Sequence, residues 1–124
     1  MNINVKTKNH QLNDATRSLI DEKFSSLAKF EKNPDSVMMF NCEIEQSIAA
    51  VRAGGRYRIE GNLTIDSKLF RAEAVLETLE GAIDAVRDEL LRELSRDRNK
   101  ERGLLKRGGA ALKRMLRFGR DSKR

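Results

Sequence analysis

The sequence of 124 residues has one cysteine, one histidine and one proline, and these scarcities exclude whole classes of chemistry. A lone Cys42 cannot close an internal disulfide, which fits a chain kept in a reducing cytoplasm. It falls among Met38, Phe40 and Ile44 at strand spacing, the setting of a small core residue. A lone His10, with no cysteine or second histidine near it in sequence, offers no metal-ligand cluster. Phosphate-loop and nucleophile-elbow motifs are missing, and Gly108-Gly109 alone cradles no phosphate. Glu43, Glu45 and Glu60 alternate along strands and are expected to be solvated on a polar sheet face. The expectation is therefore a non-enzyme with no cofactor, no metal and no small-molecule substrate. No apolar run approaches the roughly 20 residues of a membrane-spanning helix. The opening MNINVKTKNH lacks the apolar stretch of a secretory signal.

What the sequence does have is charge, unevenly divided. From Arg96 onward there are 12 Lys/Arg against 3 Asp/Glu, a net +9, whereas residues 1–95 hold 13 against 16, a net −3. A slightly acidic domain thus runs into a strongly basic segment. Cationic segments of this kind bind polyanions by releasing their condensed counterions, without needing a fixed geometry. Nucleic acid and an anionic membrane surface are the two polyanions to consider.

The hydrophobic pattern places the elements. Asn2 to Lys6 alternates as a half-buried strand with Ile3 and Val5 on one side. Asn13 caps a helix, Asp14 complements its positive end, and Leu12, Ala15, Leu19, Ile20, Phe24, Leu27 and Phe30 form its apolar stripe. Pro34 ends that helix. Three strands follow, Val37 to Glu45, Tyr57 to Ile65 and Leu69 to Val75, with Asp66-Ser67 as a tight hairpin turn between the last two. The loop around Gly54-Gly55 is expected to be mobile, and Gly61 inside its strand marks either a bulge or a close helix crossing. Thr78 caps a second helix whose stripe of Leu79, Ala82, Ile83, Val86, Leu90 and Leu94 stops well before its helix-forming residues do, near Arg102. Beyond the stripe, Arg92, Arg96 and Lys100 recur at four-residue steps, with Arg98 and Arg102 beside them.

The order β-α-β-β-β-α makes strands one and two parallel through a right-handed crossover and leaves the rest an antiparallel meander. Only one sheet face is apolar, so both helices must cover it. The fold class is α+β, a two-layer sandwich of a four-stranded sheet and two helices. Residues 1–102 form the domain and 103–124 a basic amphipathic extension.

Residues 54–63 (Gly54-Gly55-Arg56-Tyr57-Arg58-Ile59-Glu60-Gly61-Asn62-Leu63), Leu69-Phe70-Arg71-Ala72-Glu73-Ala74 and Gly81-Ala82-Ile83-Asp84 carry a likeness. Together with Asn13-Asp14-Ala15-Thr16-Arg17 and Lys23-Phe24, this chain resembles the ribosome hibernation-promoting factors, also called ribosome-associated inhibitor or sigma-54 modulation proteins. The resemblance spans about residues 1–100 and departs from the family pattern at Leu79-Glu80-Gly81. Long members of that family add a dimerisation domain where this chain turns basic. The resemblance implies a partner, the small ribosomal subunit with its rRNA and proteins, bound in the channel that messenger RNA and tRNA anticodon ends occupy. It implies occlusion rather than chemistry. Arg17, Lys23, Arg92, Arg96 and Lys100 fall where the family is basic, with Lys29, Arg87, Arg98 and Arg102 as further candidates for rRNA phosphate contacts. A-form rRNA would be met by shape and phosphate, with few base contacts.

Past Gly108-Gly109, Ala111, Leu112, Met115, Leu116 and Phe118 alternate with Lys113, Arg114, Arg117 and Arg120, and Lys106 and Arg107 precede them. So short an amphipathic segment is not a stable helix in water by itself. It folds onto ribosomal RNA or protein, threads an RNA channel as an extended arm, or lies on an anionic membrane, in that order of preference. Two alternatives of other classes stay open: a general structured-RNA-binding module or RNA chaperone, and a membrane-surface or protein-interaction adaptor acting through the tail.

Overall fold

The alternation that gives each strand one apolar face leaves the sheet a single side to cover, and both helices pack there. The computed structural model describes residues 1–47 and 56–122, with side chains described as far as Leu104. Its elements run β1 (Asn2–Lys8), α1 (Asp14–Phe24), a 3-10 helix (Ser25–Phe30), β2 (Met38–Gln46), β3 (Tyr57–Ile65), β4 (Lys68–Leu76) and α2 (Leu79–Ser122). The sheet order is β1-β2-β3-β4, with β1 parallel to β2 and the other pairs antiparallel. This is the α+β, β-α-β-β-β-α architecture read from the sequence. The expected loop at Gly54-Gly55 lies outside the described residues.

Local chemistry accounts for the element ends. Asn13 caps α1 by accepting from the Thr16 N–H at 2.8 Å. The α1 stripe was expected to run on to Phe30, yet the α-helix stops at Phe24. Ser25 Oγ donates to the Glu22 carbonyl at 2.7 Å and Ser26 Oγ to that of Lys23 at 3.2 Å. These hydroxyls occupy carbonyls of the last turn, and the chain tightens into the 3-10 form. Phe24, Leu27 and Phe30 stay buried because a three-residue step matches three residues per turn. Ala15, also placed on the stripe, is exposed. The hairpin turn falls at Asp66-Ser67, with Asp66 at φ 56°, a conformation that Asp tolerates. The Asp66 carboxylate also accepts from the Val37 N–H at 3.1 Å, pinning the start of β2. Thr78 caps α2 by accepting from the Gly81 N–H at 3.0 Å. A Cβ on Gly81 would come within 2.6 Å of that same hydroxyl. Helix α2 was expected to end near Arg102, and its backbone continues to Ser122.

The core lies between sheet and helices. Ile20, Phe24, Phe40, Ile44, Ile59, Leu63, Ile83, Val86 and Leu90 are fully buried. The Phe24 and Phe40 rings meet at 4.4 Å between centroids, tying α1 to β2. Gly61 is a close helix crossing and not a bulge, since the β2–β3 register runs unbroken through Cys42↔Gly61. A Cβ there would lie 2.9 Å from both Phe40 Cζ and Val86 Cγ1. Among the described residues no helix is long and apolar enough to cross a membrane.

The chain divides into two compact units, Met1–Glu93 and Leu94–Arg124. Leu94 and Ser95 carry no charge, so the first unit holds 13 Lys/Arg against 16 Asp/Glu and the second 12 against 3. The structural division therefore coincides with the charge division.

Two expectations follow from this core. Gly61→Ala forces a methyl into two buried side chains and should lower stability by about 1–3 kcal/mol, the usual range for overpacking, as read by thermal or urea unfolding. Burial pushes the Cys42 thiol up to about 12, so it stays protonated at neutral pH. Native protein at pH 8 should leave a disulfide reagent such as DTNB unconsumed, and denatured protein should take up one equivalent. Rapid native labelling would contradict the packing described.

Candidate nucleic-acid interface

The cations singled out in the first unit all arise on helices, and Arg17, Lys23, Arg87 and Arg92 have already found an acid. Arg17, on α1, donates from Nη2 to the Ile3 carbonyl at 2.8 Å and faces Asp21 at 3.2 Å, so it also fastens β1 to α1. Lys23, in the last turn of α1, reaches Asp84 at 3.1 Å and Glu80 at 3.4 Å on α2. The hydrogen bond to Asp84 holds its ammonium above the ordinary lysine range, with Glu80 adding to the effect. Arg87 contacts the same Asp84 at 3.3 Å and Asp88 at 3.0 Å, which places Asp84 between two cations from different helices. Arg92 pairs with Glu89 at 2.6 Å, and that hydrogen bond raises its guanidinium further. Lys29, on the 3-10 helix, sits 5.5 Å above the centroid of the Phe30 ring.

The remaining candidates lie in the second unit. Arg96, Lys100 and Arg102 are exposed on α2 and Arg98 is half-buried. Lys106, Arg107, Lys113, Arg114, Arg117, Phe118 and Arg120 fall on the helical backbone of α2, and their side chains lie outside the described ones. As far as Glu93, α2 carries two cations, Arg87 and Arg92, against five acids, Glu80, Asp84, Asp88, Glu89 and Glu93. The positive excess of the helix therefore begins past Glu93. Phosphate binding in the first unit means exchanging one anionic partner for another, and in the second it means adding a partner to a cationic excess.

The sequence pattern alone could have supplied part of this pairing. Arg17–Asp21 is an i,i+4 pair, and Arg87–Asp84 and Arg92–Glu89 are i,i+3 pairs, all readable from helical spacing. The Lys23 contacts join residues about sixty positions apart and give no local signal.

The open sheet face corrects one expectation. Glu60 is not solvated: its side chain is 12% exposed and held by Arg58 at 2.6 Å, Arg71 at 3.1 Å and Asn62 at 3.0 Å. The Asn62 amide is the foremost of the groups that hold its carboxyl below the usual glutamate range. Arg58 also grips Glu73 at 2.9 Å and lies 3.9 Å from Glu45; the hydrogen bond to Glu73, with Glu60 adding to it, raises its guanidinium. The charges of this face are thus knitted into mutual ion pairs.

Comparison with known proteins places this geometry. Among solved structures, the N-terminal domain of Protein Y from Thermus thermophilus shares 24% identity at a TM-score of 0.65, covering 77% of this chain and 98% of that one. A ribosomal subunit interface protein from Coxiella burnetii shares 13% identity at a TM-score of 0.63, covering 80% and 99%. At these identities both establish the fold. No curated protein matches the chain. The model of the sigma 54 modulation protein / S30EA ribosomal protein family matches residues 3–102, which is most of the sequence and includes every element through the first turns of α2 past Glu93. The chain belongs to the sigma 54 modulation protein / S30EA ribosomal protein family, a family of ribosome-associated factors.

Proposed function

We propose that this protein is a ribosome hibernation factor that binds the small ribosomal subunit in the channel for messenger RNA and tRNA and blocks translation by filling it. The partner is rRNA with neighbouring ribosomal proteins, the site of action is cytoplasmic, and no catalytic step is involved. One observation carries the reading beyond family membership: the boundary between compact units coincides with the change from net −3 to net +9. A compact, nearly neutral body suits filling a cavity, while a cationic segment suits holding a polyanionic wall through counterion release. We assign rRNA contact to Arg92, Arg96 and Lys100 first, then to Arg17, Lys23, Lys29, Arg87, Arg98 and Arg102. Residues 103–124 act as an extension of residues 1–102, docking on the ribosome through both charge and apolar side chains.

Sedimentation through sucrose gradients separates this proposal from its rivals. Comigration with small subunits or whole ribosomes supports it, while binding to free RNA or anionic liposomes without ribosomes favours a general RNA-binding module or a membrane adaptor. Reversing Arg92, Arg96 and Lys100 together to glutamate should abolish ribosome binding. The thermal transition should stay in place, because all three side chains are exposed. Single reversals should flatten the salt dependence of binding, each lost phosphate contact lowering the slope of log K against log salt by roughly 1. An unchanged affinity and slope would remove this surface from the interface.

The extension has its own test. Truncation after Arg102 removes eight Lys/Arg and one Asp, a net +7. It should weaken ribosome binding and leave the unfolding of the first unit unchanged. Replacing Leu112, Met115, Leu116 and Phe118 with serine keeps every cation. If the extension docks through its apolar residues, this variant should lose at least about tenfold in affinity with little change in salt slope, since each buried side chain contributes on the order of 1.5–3 kcal/mol before ordering costs. Binding equal to wild type at every salt concentration would leave it a charged arm alone.

A further inference from the structure

Strand β4 is an edge, and the way its residues alternate makes that edge complementary to itself. Asp66 and Ser67 form a two-residue turn, so Ile65 and Lys68 are the closing hydrogen-bonded pair of the hairpin. Alternation along the ladder then directs the backbone groups of Lys68, Phe70, Ala72, Ala74 and Leu76 to β3. Those of Leu69, Arg71, Glu73 and Val75 point away from the sheet. On the open face these four residues read apolar, cationic, anionic, apolar. Leu69 is 64% exposed and Val75 47%, two of the large apolar side chains left in water.

We propose that two copies of this chain associate through antiparallel pairing of their β4 edges about a two-fold axis at Ala72. In this register Arg71 faces Glu73 of the second copy and Glu73 faces its Arg71. Leu69 faces Val75, and Val75 faces Leu69. All the outward backbone groups of the four residues find partners at once, because the register maps that set onto itself. Centring the pairing on Arg71 or on Glu73 also fits the backbone, but it sets like charges directly opposite one another, which is destabilising. Charge therefore selects the register centred on Ala72.

The sheet prepares the position. The row that starts at Lys6 crosses the open face through Glu43, Glu60 and Glu73, so it reaches the β4 edge as a run of three carboxylates. Arg71 of a second copy is the next residue of that row. The adjacent row, Asn4, Asn41, Asn62 and Arg71, reaches the edge as a cation and meets Glu73 of the second copy. The opposite edge is built otherwise. Strand β1 carries Lys6 and Lys8 and no acid, so pairing with itself would gather lysines, a familiar guard on an edge strand. The second copy is thus directed to β4. This association is a property of the isolated protein and does not depend on the ribosomal proposal.

Sedimentation equilibrium of the full chain over a wide concentration range, at low and high salt, tests it. Wild type should show a reversible monomer–dimer equilibrium that weakens with salt. Arg71→Glu and Glu73→Arg, each alone, should raise the dissociation constant at least about fivefold, since each sets like charges opposite one another twice. The double variant R71E/E73R should return to within about threefold of wild type, which loss of the Glu60 and Arg58 contacts within one chain cannot explain. A second arm fixes the register without altering charge. Opposed residues of a hydrogen-bonded pair lie about 5.5 Å apart at Cα, within disulfide reach. A mixture of Leu69→Cys and Val75→Cys chains should oxidise to a linked dimer that neither variant forms alone. A wild type that stays monomeric at every concentration, a double variant no tighter than the singles, or a mixture that does not cross-link would each overturn the proposal.

Discussion

How near α2 can come to the sheet is decided at Gly61, and the position of both helices follows from that distance. With no Cβ on β3 at this point, Val86 of α2 and the ring edge of Phe40 occupy the space a side chain would take. Phe40 in turn holds Phe24 of α1 by ring contact. A single missing methyl thus connects α2 to β3, β3 to the β2 aromatic, and that aromatic to α1. Cys42, opposite Gly61 in register, keeps the neighbouring position small as well. Interiors are packed too densely for such a contact to relax without moving its neighbours.

On this frame the chain distributes charge by compact unit. The first unit neutralises itself. Arg17, Lys23, Arg87 and Arg92 are paired with carboxylates of α1 and α2, and its open sheet face is knitted through Arg58, Glu60, Glu73 and Arg71. The second unit holds 12 Lys/Arg against 3 Asp/Glu, far more cations than its acids can pair. A polyanion at more than a Debye length, about 8 Å at physiological salt, therefore senses chiefly the second unit. The first becomes relevant at contact, where shape decides.

Most of the fold was legible in the sequence because it depends on periodicity. Tyr57–Ile65 reads as a strand from end to end, since a period of two with one apolar face has no helical counterpart. The crossover, the meander and the burial of Cys42 follow from the same patterns. The end of α1 was not legible: Phe24, Leu27 and Phe30 step by three, which an α-helix and a 3-10 helix share, and only the serine hydroxyls decide between them. The end of α2 was missed for the opposite reason. The apolar stripe stops at Leu94 and glycines follow at 103, 108 and 109, yet the helical backbone continues. At the candidate interface, sequence identified which residues are cationic but not what they touch. The Lys23 contacts depend on how two helices cross, a distance that no local window encodes.

The double engagement of Asp84 by Lys23 and Arg87 has a consequence for selectivity. A small anion that approaches either cation must compete with a carboxylate already in place, and displacing it strands a half-buried acid beside the remaining charge. A single phosphate would exchange one anionic partner for another, whereas a fixed array of phosphates would engage several cations in one event. The internal acids thus set a threshold of charge density below which a ligand gains nothing. On the proposed reading, the cation pattern of this unit would act as a filter by valence, not merely as an attractant.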